Sequence, residues 1–154
     1  MVFRRGGGFT SQVVLMADRE GHYSHTGIVV EVEGKMMIVH AVVPGEHDFE
    51  GDVDRVKMDT QEHFFSFEYA TIGEICRPLD SIVATKAAKE ALYIYKRNML
   101  FDHDYDDKDT TKMYCTEMVI YAFRRAGVEL IGPKSHEVRI PLLNIDCLIP
   151  LTHP

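Results

Sequence analysis

Two neighbouring stretches constrain this chain more than anything else in it: HTGIVVEVEG, from His25 to Gly34, and KMMIVHAVV, from Lys35 to Val43. Both are rich in β-branched and apolar residues. A tight turn near Gly34 separates them, and Pro44–Gly45 closes the second. That pattern predicts an antiparallel hairpin. If partners sum to about 65 across the turn, His25 and His40 face each other on one side of the sheet. A histidine set among Val, Ile and Ala is costly to bury unless its ring nitrogens are satisfied. A second imidazole would satisfy one of them; a backbone carbonyl is the structural alternative for His40.

The rest of the chain supplies elements around this hairpin. RRGGG at the start is expected to be flexible, and SQVVLMA reads equally as a short strand or a helix start. Gly45–Thr60 is polar and acidic, which suggests a surface loop around a short strand at Asp52–Lys57. FFSFEYATIGEICRPL has the aromatic and β-branched content of one or two strands. Asp80 or Ser81 can cap a helix running to about Asn98. An aspartate-rich loop, Phe101–Lys112, precedes a second helix from about Cys115 to Ala126, with Gly127 as its natural stop. LLNIDCLIPL carries a last strand. Strands first, with helices between and after them, predict an α+β domain whose small antiparallel sheet packs against helices. At 154 residues, one domain spanning 1–154 is the natural reading.

Charge narrows the partners. With 17 Lys and Arg against 24 Asp and Glu, the net charge of −7 repels phosphate backbones and anionic headgroups, so neither nucleic acid nor a membrane surface is the expected partner. No stretch approaches the ~20 apolar residues of a bilayer span. MVFRRGGGFT has basic residues but no apolar core after them, so it does not read as a signal peptide. Three cysteines, Cys76, Cys115 and Cys147, form neither a CxxC pair nor zinc-ligand spacing. Cys76 and Cys147 lie in apolar, strand-like segments and read as buried small hydrophobes. Unpaired thiols suit a reducing interior; a removed leader would instead mean export.

Cys115 opens a helix in YCTEMVIYAFRRAG, where Met118, Val119, Ala122, Phe123 and Ala126 make one apolar face. Unsatisfied N–H groups and the positive end of the dipole meet at that position, which favours a thiolate. A catalytic thiolate needs a base with an orienting partner, and His25 with His40 offers both. The structural alternative is a buried cysteine at a helix start. His22, His47, His63, His103, His136 and His153 stand in polar or terminal contexts and read as surface residues.

Together, FRRGGGFTSQVVLMAD, YSHTGIVV, IVHAV, FDHDYD and YCTEMV resemble the permuted papain-like amidases of the YiiX/YaeF type, relatives of the NlpC/P60 cysteine peptidases. The resemblance runs from about Val2 to Pro150. Its most specific parts are the SH-x-G strand entrance and the Tyr-Cys-Thr-Glu helix start, about 90 residues apart and in that order. It implies a circularly permuted papain-like fold without cofactor. Cys115 would be the nucleophile, His25 the base, His40 the orienting residue and Tyr114 the aromatic residue before the nucleophile, whose hydroxyl or a nearby N–H contributes to the oxyanion site. The implied reaction is acyl transfer from a small-molecule or peptide amide, such as a cell-wall fragment, with the Cys115 N–H as one oxyanion donor. Many YiiX-like sequences carry Glu where this chain has His40, and a neutral His stabilises an imidazolium less than a carboxylate does.

Other readings compete. Asp102, Asp104 and Tyr105 belong to the acidic loop expected to border the cleft and to favour a cationic substrate group. That loop is no EF-hand, since Asp107 and Met113 stand where Gly and Glu are required. His22, His25, His40 and an aspartate could form a zinc site, though this would leave Cys115 without a role. A lipid or thioester acyltransferase or esterase would use the same Cys–His pair, and a non-catalytic binding domain could keep the fold. Specificity would lie in loops Gly45–Thr60, Phe101–Lys112 and Gly132–Pro141.

Overall fold

In a computed structural model, residues 1–17, 21–42, 46, 49–104, 109, 111–130, 136–140 and 145–149 are described. The expected hairpin is formed by β2 (His25–Val32) and β3 (Lys35–Ala41). Glu33 (φ 51°) and Gly34 (φ 75°) make its two-residue turn, both with the positive φ that matches the twist of paired strands. The register differs from the expected one. Ile28 pairs with Val39 and Val32 with Lys35, so partners sum to 67 rather than 65. The two-residue loop sets this spacing. A shift of two preserves the side-chain faces, so His25 becomes the diagonal neighbour of His40 and stays on its side of the sheet. The Pro44–Gly45 turn lies outside the described residues.

Three strands complete the sheet, in the order β4-β3-β2-β1-β5 and antiparallel throughout. β1 (Val2–Arg5) lies between β2 and β5, so the opening segment is not a flexible lead: Val2, Phe3 and Arg4 pair on both sides. β4 is Val56–Thr60, four residues later than the expected strand start, and β5 is Ile72–Ile75. The aromatic segment therefore holds one strand and a single-turn helix, α2 (Gln61–Phe64). Cys76, expected to be buried, lies just past the exposed β5 and is only half-buried. The side chain of Cys147 falls outside the described residues. SQVVLMA lies in α1 (Phe9–Ala17), which decides for the helix.

Alternation divides the sheet into two faces. On one, Ile28, Val30, Val39, Ala41 and Val56 form the main core with α3 (Ser81–Lys96) and α4 (Cys115–Arg125). Asp80 caps α3, its Oδ1 accepting from the N–H groups of Ile82 (2.7 Å) and Val83 (3.2 Å). α4 ends before Gly127 as expected. On the other face Val2, Ile38 and Phe64 form a smaller cluster. Short parallel strands β6 (Leu100–Phe101) and β7 (Lys112–Met113) frame the acidic loop, and β8 (His136–Ile140) pairs antiparallel with β9 (Ile145–Ile149). The architecture is α+β, an antiparallel sheet packed against helices. Among the described residues no helix is long and apolar enough to cross a membrane.

Candidate active site

The smaller face carries a cluster of buried polar side chains. His40 pairs across the sheet with Lys57, Ile38 with Asp59, and Arg4 with His25. Parity therefore brings His25, His40, Lys57, Asp59 and Arg4 to one side of the sheet. Gly27 lies opposite His40. A Cβ there would stand 2.9 Å from the Val39 carbonyl oxygen and 3.1 Å from the His40 Cβ, so the missing side chain is what lets His25 reach diagonally across.

His25 Nε2 and His40 Nδ1 are 2.8 Å apart, and His40 Nε2 lies 2.9 Å from Asp59 Oδ2. Asp59 Oδ2 also meets His63 Nδ1 at 3.1 Å and Lys57 Nζ at 3.6 Å. Thr60 caps α2 directly after β4, its Oγ1 accepting from the His63 N–H at 3.1 Å, and this brings His63 one turn beyond Asp59. Phe64 follows. Its ring stacks on His25 at 5.7 Å between centroids and meets His40 edge-on at 5.1 Å. Arg4, buried under Phe64, donates to the Phe64 carbonyl and grips Glu46 at 2.5–2.6 Å.

Burial pushes His25 well below the ordinary imidazole value, helped by the neighbouring His40 and the cations Arg4 and Lys57. Burial lowers His40 too, with Arg4, and the pull of Asp59 in the other direction does not overcome it. Burial works against the charge of Asp59, yet the hydrogen bonds from His40 and His63 and the cation of Lys57 hold its carboxyl well below the usual carboxylate range. Two neutral rings thus lean on one ionised carboxylate.

Cys115 begins α4 on the opposite face, and its sulfur comes to the end of the sheet. The β2–β3 ladder stops at Ile28–Val39, short of Thr26, and the backbone of Thr26 acts on Sγ in the sense that favours the thiolate. The N–H groups of Cys115 and Thr116 converge there as well, and the Thr116 hydroxyl lies 3.8 Å away. The helix start was expected to lower the thiol pKa. Burial instead pushes it up, against all four donors, because desolvation costs the thiolate more than they return. The His25 ring is not a hydrogen-bond partner of the sulfur; the contact is with the residue after it.

Tyr114 is buried in the main core, and its N–H donates to Glu117 Oε2 at 3.4 Å as part of a capping interaction. Asp102 is buried, 1 % exposed, and its Oδ1 accepts from the Asp104 N–H at 2.9 Å. Asp104 is exposed and pairs with Lys112 at 3.6 Å. Tyr105 lies outside the described residues. His22 is exposed and His103 pairs with Asp54, in keeping with surface roles. His63 is exposed yet bound to Asp59, which its polar surroundings in sequence did not suggest.

Asp59, Lys57, Phe64 and Arg4 were not anticipated. The signal for the first two was present: in Val56-Lys57-Met58-Asp59 the apolar and polar residues alternate, the mark of a half-buried strand rather than a loop. A surface groove lined by Phe65, Phe67, Ala70 and Ile72–Ile75 lies at the β5 edge, two strands from His25, and contains none of these groups.

No family model and no curated protein matches the chain. The crystal structure of metalloprotein yiiX from Escherichia coli O157:H7 is similar, with a TM-score of 0.71 and 18% identity, over 98% of this chain and 87% of that one. At that identity the likeness is one of fold: this chain has the YiiX-type fold.

Proposed function

We propose that the chain, read as one permuted papain-like domain, is a cysteine hydrolase cleaving an amide bond through a Cys115 thioester, with His25 as base and His40 as its orienting partner. The observation that carries this reading is the contact of His25 with His40, 2.8 Å between Nε2 and Nδ1. His25 uses Nε2 on His40, so Nδ1 is the nitrogen left to act, and the backbone of the next residue, Thr26, favours the thiolate of Cys115. Catalytic hydrogen bonds in ligand-free sites are often long and tighten only when substrate is bound.

The neutral resting state sets the mechanism. With the thiol raised and the imidazole lowered, no thiolate–imidazolium pair forms beforehand. Nδ1 of His25 takes the Sγ proton as sulfur attacks the carbonyl carbon, and the tetrahedral oxyanion accepts from the N–H groups of Cys115 and Thr26. The Tyr114 N–H is occupied by Glu117 and is not assigned to that hole. His25 then protonates the leaving amine, and water, deprotonated by His25, releases the acid and the thiol. Asp104, exposed beside the β6–β7 frame, is the acidic-loop carboxylate assigned to a cationic substrate group.

The neighbour's description as a metalloprotein raises a metal reading. The residues here do not suit one: His25, His40 and Asp59 bond in a row, nitrogen to nitrogen to oxygen, and among the described residues no three His, Cys, Asp or Glu side chains converge on a point.

The test is acylation by p-nitrophenyl acetate and amino-acyl p-nitroanilides, with the adduct mapped by mass spectrometry in wild type, Cys115→Ala and His25→Ala. An adduct on Cys115 that disappears in His25→Ala is expected. Equal labelling of Cys76 and Cys115, unchanged by His25→Ala, would return Cys115 to a structural role and favour a binding domain.

A further inference from the structure

We propose that Asp59 is a positioning residue that fixes, through His40, which nitrogen of His25 carries the proton. The inference rests on the hydrolase reading for its catalytic meaning, but its structural content stands on three side chains in a row.

Ring nitrogens act as donor or acceptor according to tautomer, so the row can be read from its fixed end. Asp59 Oδ2 is that end. An ionised carboxylate only accepts, and Lys57 at 3.6 Å and His63 at 3.1 Å favour its charge. At 2.9 Å, His40 Nε2 must therefore bear a hydrogen, because two lone pairs facing each other in a buried site would repel. A neutral His40 with its hydrogen on Nε2 has a bare Nδ1. That atom, 2.8 Å from His25 Nε2, accepts, so His25 must donate from Nε2. The His25 lone pair is then left on Nδ1. One carboxylate thus sets two tautomers in succession and leaves the base ready.

The same row answers the substitution of His40 for a carboxylate. The negative charge is present but one imidazole further back, on β4 instead of β3. When Nδ1 of His25 accepts the thiol proton, the new imidazolium faces a His40 ring already polarised by Asp59. Phe64, fully buried, packs against both rings and holds them in this row.

The experiment reads tautomers directly, by long-range ¹⁵N–¹H spectra of the His25 and His40 rings in the intact chain at neutral pH. Wild type is expected to show both rings protonated on Nε2. In Asp59→Leu, of similar size, the acceptor is gone, the row loses its fixed end, and the Nδ1–H tautomers of both rings gain population. Acylation of Cys115 by p-nitrophenyl acetate then falls by about 10²–10⁴-fold, the usual worth of a positioned base. Asp59→Glu, which keeps an acceptor, is expected to retain the wild-type tautomers and part of the rate. Wild-type His25 protonated on Nδ1 would overturn the proposal whether or not any variant folds, as would unchanged tautomers in Asp59→Leu. Expected tautomers with no acylation of Cys115 in any variant would leave Asp59 its role and remove the hydrolase reading instead.

Discussion

Burying two neutral imidazoles makes the fold vulnerable to mild acid, and the size of the effect can be worked out. In the unfolded chain each ring titrates near 6.5, while in the fold both sit lower, His25 well below. Between those values the unfolded chain binds protons that the fold refuses, so stability falls as pH falls below 6.5. Each ring contributes about 1.4 kcal/mol per pH unit over that window, about 2.7 kcal/mol for the two until one is protonated in place. From about pH 6 to about pH 5 this removes a substantial part of a total that is typically only about 5–15 kcal/mol. Asp59 adds a second window: its contribution is present above its ordinary value of 3.8 and is lost as pH falls through its lower folded value. Urea unfolding at intervals from about pH 7.5 to about pH 5 measures the slope. The decisive comparison is His25→Gln, whose amide can still donate to His40 Nδ1 but takes no proton. Its slope is expected to be shallower by about 1.4 kcal/mol per pH unit. Equal slopes in the two proteins would mean that His25 is not held neutral by burial, and the resting state derived for the site would fail.

Two further predictions concern how the site is held. Gly27→Ala introduces a Cβ 2.9 Å from both the Val39 carbonyl oxygen and Ile38 Cγ2, too close for these neighbours to stay in place. Overpacking of this kind costs about 1–3 kcal/mol, or roughly 2–12 °C in Tm for a chain of this size, with the His25–His40 contact disturbed in the same variant; calorimetry with the ring ¹⁵N spectra measures both. Glu46→Gln leaves the buried Arg4 without its counter-charge and is expected to destabilise by about 3 kcal/mol in urea titrations, a loss that a surface ion pair could not produce.

Much of this arrangement could be read from the residues. The hairpin and both long helices follow from periodicity and caps, and Cys115 stands at the helix start where the pattern put it. The juxtaposition of His25 and His40 survived a register two residues off, because a shift of two leaves side-chain parity untouched. What was not legible depended on neighbours distant in sequence. Lys57 and Asp59 looked like part of an acidic surface loop, and only pairing with His40 and Ile38 turns them inward. The thiol shift runs the other way for a related reason: the helix dipole is a local property visible in the chain, whereas the desolvation that opposes it comes from burial in the fold. RRGGG concealed a central strand because four-residue β1 has no alternation long enough to stand out.

That strand has a kinetic consequence. β2, β3 and β4 meet neighbours close in sequence, but β1 binds β5 from the far side of most of the sheet, and the Met1 ammonium donates to the Cys76 carbonyl at 2.8 Å across 75 positions. Contacts of that span wait for a large loop to close, so they form late and slow the folding of the whole. His25, Thr26 and Gly27 are paired with β1 and lie beyond the β2–β3 ladder. β1 reaches them across only 21 to 25 positions, so this segment can be held before β5 closes: a refolding chain acquires its hairpin first, then the pairing around His25, and the β1–β5 edge last.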